Sequence, residues 1–133
     1  TYLNPWAFKH VVAGDRLFYA NYSDTSTSLW VTDGTDAGTQ ELLKPGTTNV
    51  PFNPSEMLAV GNQVYFAARH PDYGYELWRS DGTGAGTEIA ADIEPGRNDS
   101  SPEGLQVIDG KLYFSADRRT VGRELFVLDL PTE

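Results

Sequence analysis

Val64-Tyr65-Phe66-Ala67-Ala68 is a run of apolar and aromatic residues without alternation, and related runs stand at Leu17-Phe18-Tyr19-Ala20 and Leu112-Tyr113-Phe114-Ser115. A strand with one wet face alternates apolar and polar side chains, whereas a strand covered on both faces does not need to. These three runs lie 47 and 48 residues apart. Leu29-Trp30, Leu77-Trp78 and Leu125-Phe126 recur at intervals of 48 and 48. Asp33-Gly34-Thr35-Asp36-Ala37-Gly38-Thr39 and Asp81-Gly82-Thr83-Gly84-Ala85-Gly86-Thr87 are again 48 apart. The chain of 133 residues therefore reads as one unit of repeats: the first about 5–50, the second about 51–99, and an incomplete third about 100–133.

The middle repeat predicts four strands, over about Glu56–Val60, Gln63–Ala68, Tyr75–Ser80 and Thr87–Asp92. Gly61-Asn62 is a two-residue hairpin signal between the first two, matched by Gly14-Asp15 and Asp109-Gly110 in the other repeats. Glycine first suits a type II′ turn and Asp-Gly a type I′ turn. No uninterrupted stretch has helical periodicity, so the fold class is all-β. Four-stranded antiparallel meanders with both faces apolar, repeating every 48 residues, are what the blades of a β-propeller require. About three such blades make an open arc, because propellers close with about four to eight. The ring would be completed by oligomerisation or by a longer parent chain. Thr1-Tyr2-Leu3 is a candidate for the outer strand that the third repeat lacks.

Composition removes other classes. Ten basic against 19 acidic side chains give a formal charge of −9, and the arginines are dispersed, so nucleic acid is not expected as a partner. The apolar runs are far shorter than the ~20 residues of a bilayer-spanning helix, and no membrane insertion is expected. The absence of cysteine removes disulfides and thiolate metal sites. The first residues show no cationic stretch followed by a long apolar one, so no signal peptide is read there; a processed or excised segment would look the same.

Glu76-Leu77-Trp78-Arg79-Ser80-Asp81-Gly82-Thr83-Gly84-Ala85-Gly86-Thr87, followed by Ala91-Asp92-Ile93-Glu94-Pro95-Gly96 and Ser100-Ser101-Pro102, resembles the ELWxxDGT repeat family of large secreted or surface-associated bacterial proteins. The first repeat departs from the pattern, with Ser28 in place of the glutamate and Lys44-Pro45-Gly46 in place of the Asp-Ile-x-Pro-Gly run. The third keeps Gly122-Arg123-Glu124-Leu125 but has Phe126 for the tryptophan and no Asp-Gly-Thr segment. The resemblance implies a propeller-like array and an extracellular or cell-surface setting, and it brings no catalytic activity with it.

Recurring residues are expected to be structural. Trp30, Trp78 and Phe126 share one register and read as core between blades. Asp33 and Asp81 open loops with one carboxylate each, too few oxygens for calcium. They read as turn aspartates, with Gly34, Gly38, Gly82 and Gly86 supplying the loop conformation. No metal or cofactor is expected. Glu76 and Glu124 recur one period apart and are expected to pair with Arg79 or Arg123. No HExxH, GxSxG or cysteine-based arrangement is present, and carboxylate pairs such as Glu76 with Asp72 or Glu124 with Asp117 carry no signal by number alone among 19 acidic residues.

Residues that differ between repeats carry the functional expectation. The longer connections, 21–27, 69–74, 117–122, 46–51 and 96–101, should share one rim, as variable loops on a rigid scaffold do in binding modules. Arg69, His70, Asp72 and Tyr73, and separately Asp117, Arg118 and Arg119, are the candidate ligand-binding residues. The expected role is a non-enzymatic extracellular binding or adhesion module. Its expected partners are other copies of itself, neighbouring repeats of a parent chain, a glycan or a surface protein. The alternatives are an architectural spacer and a carbohydrate-active enzyme.

Overall fold

The protein is all-β. The computed structural model describes residues 9–22, 27–43, 54–91, 93–96 and 98–131, and for Tyr22 the backbone alone. Strands β1 (His10–Ala13), β2 (Arg16–Tyr22), β3 (Thr27–Thr32) and β4 (Gln40–Leu43) form the first antiparallel sheet in that order. Strands β5 (Ser55–Val60), β6 (Gln63–His70), β7 (Gly74–Ser80) and β8 (Thr87–Ala91) form the second, again in chain order. The third sheet has β9 (Glu103–Ile108), β10 (Lys111–Arg118) and β11 (Gly122–Asp129), with β10 central. Among the described residues it has no fourth strand, and Thr1-Tyr2-Leu3, proposed for that place, lie outside them. No helix among the described residues is long and apolar enough to cross a membrane.

The three tight hairpins have the backbone their residues predict. Gly14 and Gly61 have φ of 65° and 59° while Asp15 and Asn62 do not enter positive φ, the sign pattern of a type II′ turn. Asp109 and Gly110 are both positive, at 50° and 74°, as type I′ requires. The β1–β2, β5–β6 and β9–β10 pairs close on Ala13↔Arg16, Val60↔Gln63 and Ile108↔Lys111, so all three hairpins share one register.

This common register decides which side chains face which sheet. In β6 the alternate residues Val64, Phe66 and Ala68, with Trp78 of β7, pack against Phe18, Leu29 and Val31 of the first sheet. Tyr65 and Leu77 face the other way, onto Leu112, Phe114 and Ala116 of the third. Tyr65 and Phe66, adjacent in sequence and pointing to opposite faces, are 1% and 0% exposed. The middle sheet is thus covered on both sides, which is why its strands need no polar alternation. Trp78 is buried in the core between the first two sheets, and Phe126, half-buried, packs against the core between the second and third. Trp30, expected in core as well, departs from that: it is half-buried on the face of the first sheet that turns away from the second, stacked on Tyr19 with ring centroids 6.4 Å apart. The first strands of consecutive sheets also lie together, β1 against β5 and β5 against β9.

Deletion of buried bulk in these cores leaves a cavity. Leu77→Ala is expected to destabilise by about 2 to 5 kcal/mol and Trp78→Ala by about 3 to 5 kcal/mol. Leu125→Ala, the same repeat position on a face where the leucine is 74% exposed, should change stability by no more than about 0.5 kcal/mol. Urea denaturation in dilute solution measures all three.

Candidate functional site

The rim that carries the candidate ligand-binding residues is organised by a buried carboxylate. Glu76 lies in β7 opposite Ala68 and is fully buried. A buried charge is tolerated only when hydrogen bonds replace its water. Here Oε2 accepts from the Ile93 amide at 2.9 Å and the Ser100 hydroxyl at 2.7 Å, while Oε1 accepts from the Glu94 amide at 3.1 Å. The connection from β8 to β9 is therefore folded around the Glu76 side chain. Ser100 and Ser101 tie it further by donating their amides to the Tyr75 carbonyl at 2.9 and 3.2 Å.

The same connection bonds to the third sheet. The Asp117 amide donates to the Ser100 carbonyl at 2.6 Å, and the Arg119 amide donates to Glu94 Oε1 at 2.7 Å. Glu94 is itself only 8% exposed. The expected pairing of Glu76 with Arg79 is not formed: Arg79 bonds its cross-strand neighbour Glu88 at 2.7 Å. Glu124 does not pair with Arg123 either. It is exposed, and Arg123 bonds Asp117 at 3.1 Å and Glu103 at 3.3 Å. The loop that engages Glu76 follows a fourth strand, and the third sheet has none among its described residues. Ser28, in the glutamate position of the first repeat, is buried and accepts a hydrogen bond from Trp30 Nε1 at 2.9 Å.

The structure divides the candidate residues into two groups. Arg69, His70, Asp117 and Arg118 lie on strand ends rather than in loops, because β6 and β10 run two or more residues further than the sequence reading allowed. Strand alternation then separates Arg69 from His70. Arg69 points toward the third sheet and pairs with Asp99 at 2.9 Å, its guanidinium 5.7 Å from the Tyr75 ring. Asp99 Oδ1 also accepts the Tyr75 amide at 2.9 Å. On the other side of the connection Arg119 donates to Asn98 Oδ1 at 3.4 Å. Arg69, Arg119 and Asp117 are thus joined by residues 98–100, while Arg118 is exposed beside them. Asp99 and Asn98 were not singled out from sequence; their place in a loop without periodicity gave no signal beyond their type.

His70 belongs to a separate aromatic cluster. Its ring lies 4.9 Å from that of Tyr73 and 5.6 Å from that of Trp78, centroid to centroid. Nδ1 accepts the Asp72 amide at 3.1 Å, which leaves the proton of the neutral ring on Nε2. Burial lowers the His70 pKa and outweighs the opposing pull of the Asp72 carboxylate. Tyr73 is 42% exposed and, with Trp78, Thr87, Glu88 and Ile89, lines an open recess of about 400 Å³.

The Asp-Gly-Thr loops lie on the opposite rim and use their side chains internally. Asp81 Oδ1 accepts the Thr83 amide at 2.9 Å and the Thr83 hydroxyl at 2.7 Å. Thr83 Oγ1 in turn accepts the Gly86 amide at 2.9 Å, and the Thr87 hydroxyl donates to the Thr83 carbonyl at 2.7 Å. Asp33, Thr35, Gly38 and Thr39 repeat the same network in the first repeat. A Cβ on Gly86 would sit 2.1 Å from the Asp81 carboxylate, so a side chain there would push that carboxylate out of its bonds to Thr83. Gly82, at φ 95°, is packed beneath Arg16, which donates to the Asp81 carbonyl at 2.7 Å and ties this turn to the first sheet. The aspartates are turn residues, as their sequence context predicts.

The chain matches no protein-family model, and no curated protein is significantly similar to it.

Two predictions follow from these networks. Glu76→Gln keeps the size but places an amide N–H₂ against donors, so it should destabilise the protein by roughly 1 to 3 kcal/mol for each donor left unpaired; amide exchange of Ile93 and Glu94 should accelerate with it. The Asp33 and Asp81 carboxyls are held below the usual carboxylate range, first by the hydroxyls of Thr35 and Thr83 and then by backbone amides. Because the folded value lies below the unfolded one, their contribution is present above the unfolded pKa and is lost as pH falls through the folded one. Stability should therefore decline below about pH 4, and Asp81→Asn should flatten that decline in acid denaturation.

Proposed function

We propose that this chain is a stretch of an extracellular β-propeller of the ELWxxDGT repeat kind, with each sheet acting as one blade, and that it serves as a non-catalytic binding module. The reading is supported by the 48-residue register shared by three stacked sheets and by the way their first strands gather together. The observation that carries the binding role is the arginine pair on the rim. Arg69 and Arg119 stand on either side of a connection anchored by the buried Glu76, and the Arg69 side chain is 45% exposed. Guanidinium groups set on a rigid support suit carboxylate- and hydroxyl-rich ligands, because the fork geometry is fixed before binding. The ligand class proposed is an acidic glycan on a cell surface. A carbohydrate-active enzyme would need a free carboxylate pair, and engagement of Glu76 by three donors counts against its use in one.

A purely architectural role is the second reading, favoured by the exposed apolar residues Ile108 of β9 and Leu125 and Val127 of β11, which suit one blade among many. A glycan array probed with the wild-type chain and with Arg69→Ala decides between them. Binding to acidic glycans that weakens about tenfold in the variant, the loss of one charge-assisted contact, is the expected result. An array with no retained glycan would leave the architectural role, and shortening of a polysaccharide during the assay would point to the enzyme.

A further inference from the structure

Aspartate is followed by glycine at three places in the chain: Asp33-Gly34, Asp81-Gly82 and Asp109-Gly110. In such a pair the glycine amide can reach the aspartate carboxyl carbon, because no Cβ restricts the backbone on its side. All three aspartates are exposed, so access to water does not distinguish them. What their reacting groups are bonded to does. In the Asp-Gly-Thr loops both groups are held. The carboxylates accept the amides and hydroxyls of Thr35 and Thr83, and the glycine amides donate to Thr32 Oγ1 at 3.0 Å and to Ser80 Oγ at 3.1 Å. Asp109 and Gly110 instead form the exposed tip of the β9–β10 hairpin. Neither the Asp109 carboxylate nor the Gly110 amide has a hydrogen-bond partner among the described residues. The Gly110 carbonyl accepts the Leu130 amide at 3.0 Å, a bond that leaves the peptide between Asp109 and Gly110 able to turn. The equivalent tips Gly14-Asp15 and Gly61-Asn62 are exposed as well, the second of them on the sheet covered on both faces.

We propose that Asp109 is a site of spontaneous conversion to isoaspartate, and that the hydrogen bonds of the Asp-Gly-Thr loops protect Asp33 and Asp81 from the same reaction. When the peptide at the tip turns, the Gly110 nitrogen bonds to Asp109 Cγ. The C–O bond of the protonated carboxyl breaks, and its hydroxyl leaves with the amide proton as water. A second water then opens the five-membered imide at either carbonyl. Opening at the main-chain carbonyl leaves isoaspartate, with the chain running through Cβ and Cγ and a free α-carboxylate beside it. Nothing is oxidised or reduced, and water is the only co-reactant. In the two loops the sequence is blocked at its first step, since the glycine amide and the carboxylate must both leave their partners before they meet. The carboxyls held below the usual range there also resist the protonation that makes the hydroxyl a leaving group. The product matters to the third sheet: a two-residue turn closing Ile108 on Lys111 does not hold its register with an extra main-chain atom. The proposal is independent of the blade and glycan readings.

Incubation of the full chain in heavy-oxygen water tests it, because each opening of the imide leaves one solvent oxygen in the product. Digestion and tandem mass spectrometry then assign the label to each aspartate, and chromatographic separation of the isomeric peptides counts the isoaspartate. In the folded chain, label and isoaspartate should accumulate at Asp109 about tenfold faster than at Asp33 or Asp81, the rate equivalent of one hydrogen bond that has to open first. In the same buffer with urea, where no loop is formed, the three sites should react at similar rates. Asp109→Glu, whose longer side chain would have to close a six-membered ring, should lose the label at that position and leave the other two unchanged. A folded chain that labels Asp33 or Asp81 as fast as Asp109 would overturn the protection. Labelling of Asp109 in urea but not in the folded chain would show that the hairpin tip holds its groups apart, and would overturn the site itself.

Discussion

A sheet whose two faces are both apolar has to be covered twice. That constraint organises this molecule. Tyr65 and Phe66 cannot both be buried in a single layer, nor in a two-layer sandwich that leaves one side wet, so the second sheet lies between the first and the third. The cores on its two sides are built from the same repeat positions, with Phe18 and Leu29 playing toward the second sheet the part that Tyr65 and Leu77 play toward the third. One packing solution is used twice, which is why a period of 48 residues persists through substitutions such as Phe126 for tryptophan.

A second constraint is electrostatic and local. The Glu76 carboxylate is cut off from water, and three donors from one connection take water's place. Because that connection also bonds Asp117 and Arg119, it links the glutamate's sheet to the third sheet at one rim. The opposite rim is held differently. Each Asp-Gly-Thr loop satisfies its own polar groups, and Arg16 and Gln40 of the first sheet then grip the second repeat's loop through the carbonyls of Asp81 and Gly82. Both rims are therefore stitched from sheet to sheet by polar contacts that complement the apolar cores between them.

Much of this was legible in the sequence for physical reasons. Period, hairpin type and strand class depend on local backbone geometry and on which side chains repel water, and both are written in short windows such as Gly61-Asn62 and Val64–Ala68. The role of Trp78 was legible from its register alone. The partners of Glu76 were not, because an amide donor has no side-chain signature and the Ile93 and Glu94 amides look like any others until the connection is folded. The separation of Arg69 from His70 was hidden for a related reason. The reading ended β6 at Ala68, and only the two further strand residues send neighbouring side chains to opposite faces. Asp99 escaped notice because its function is to receive Arg69 and the Tyr75 amide from 30 and 24 positions away.

The stack also has a thermodynamic polarity. Apolar packing joins each sheet to the next, so cooperativity is of the nearest-neighbour kind, in which every unit is stabilised by its contacts with adjacent units. The middle sheet has two such neighbours and the third sheet has one within the chain. Local opening should therefore begin at β11 and its exposed Leu125 and Val127 and move inward, with β6 and β7 the last to surrender their amide protons.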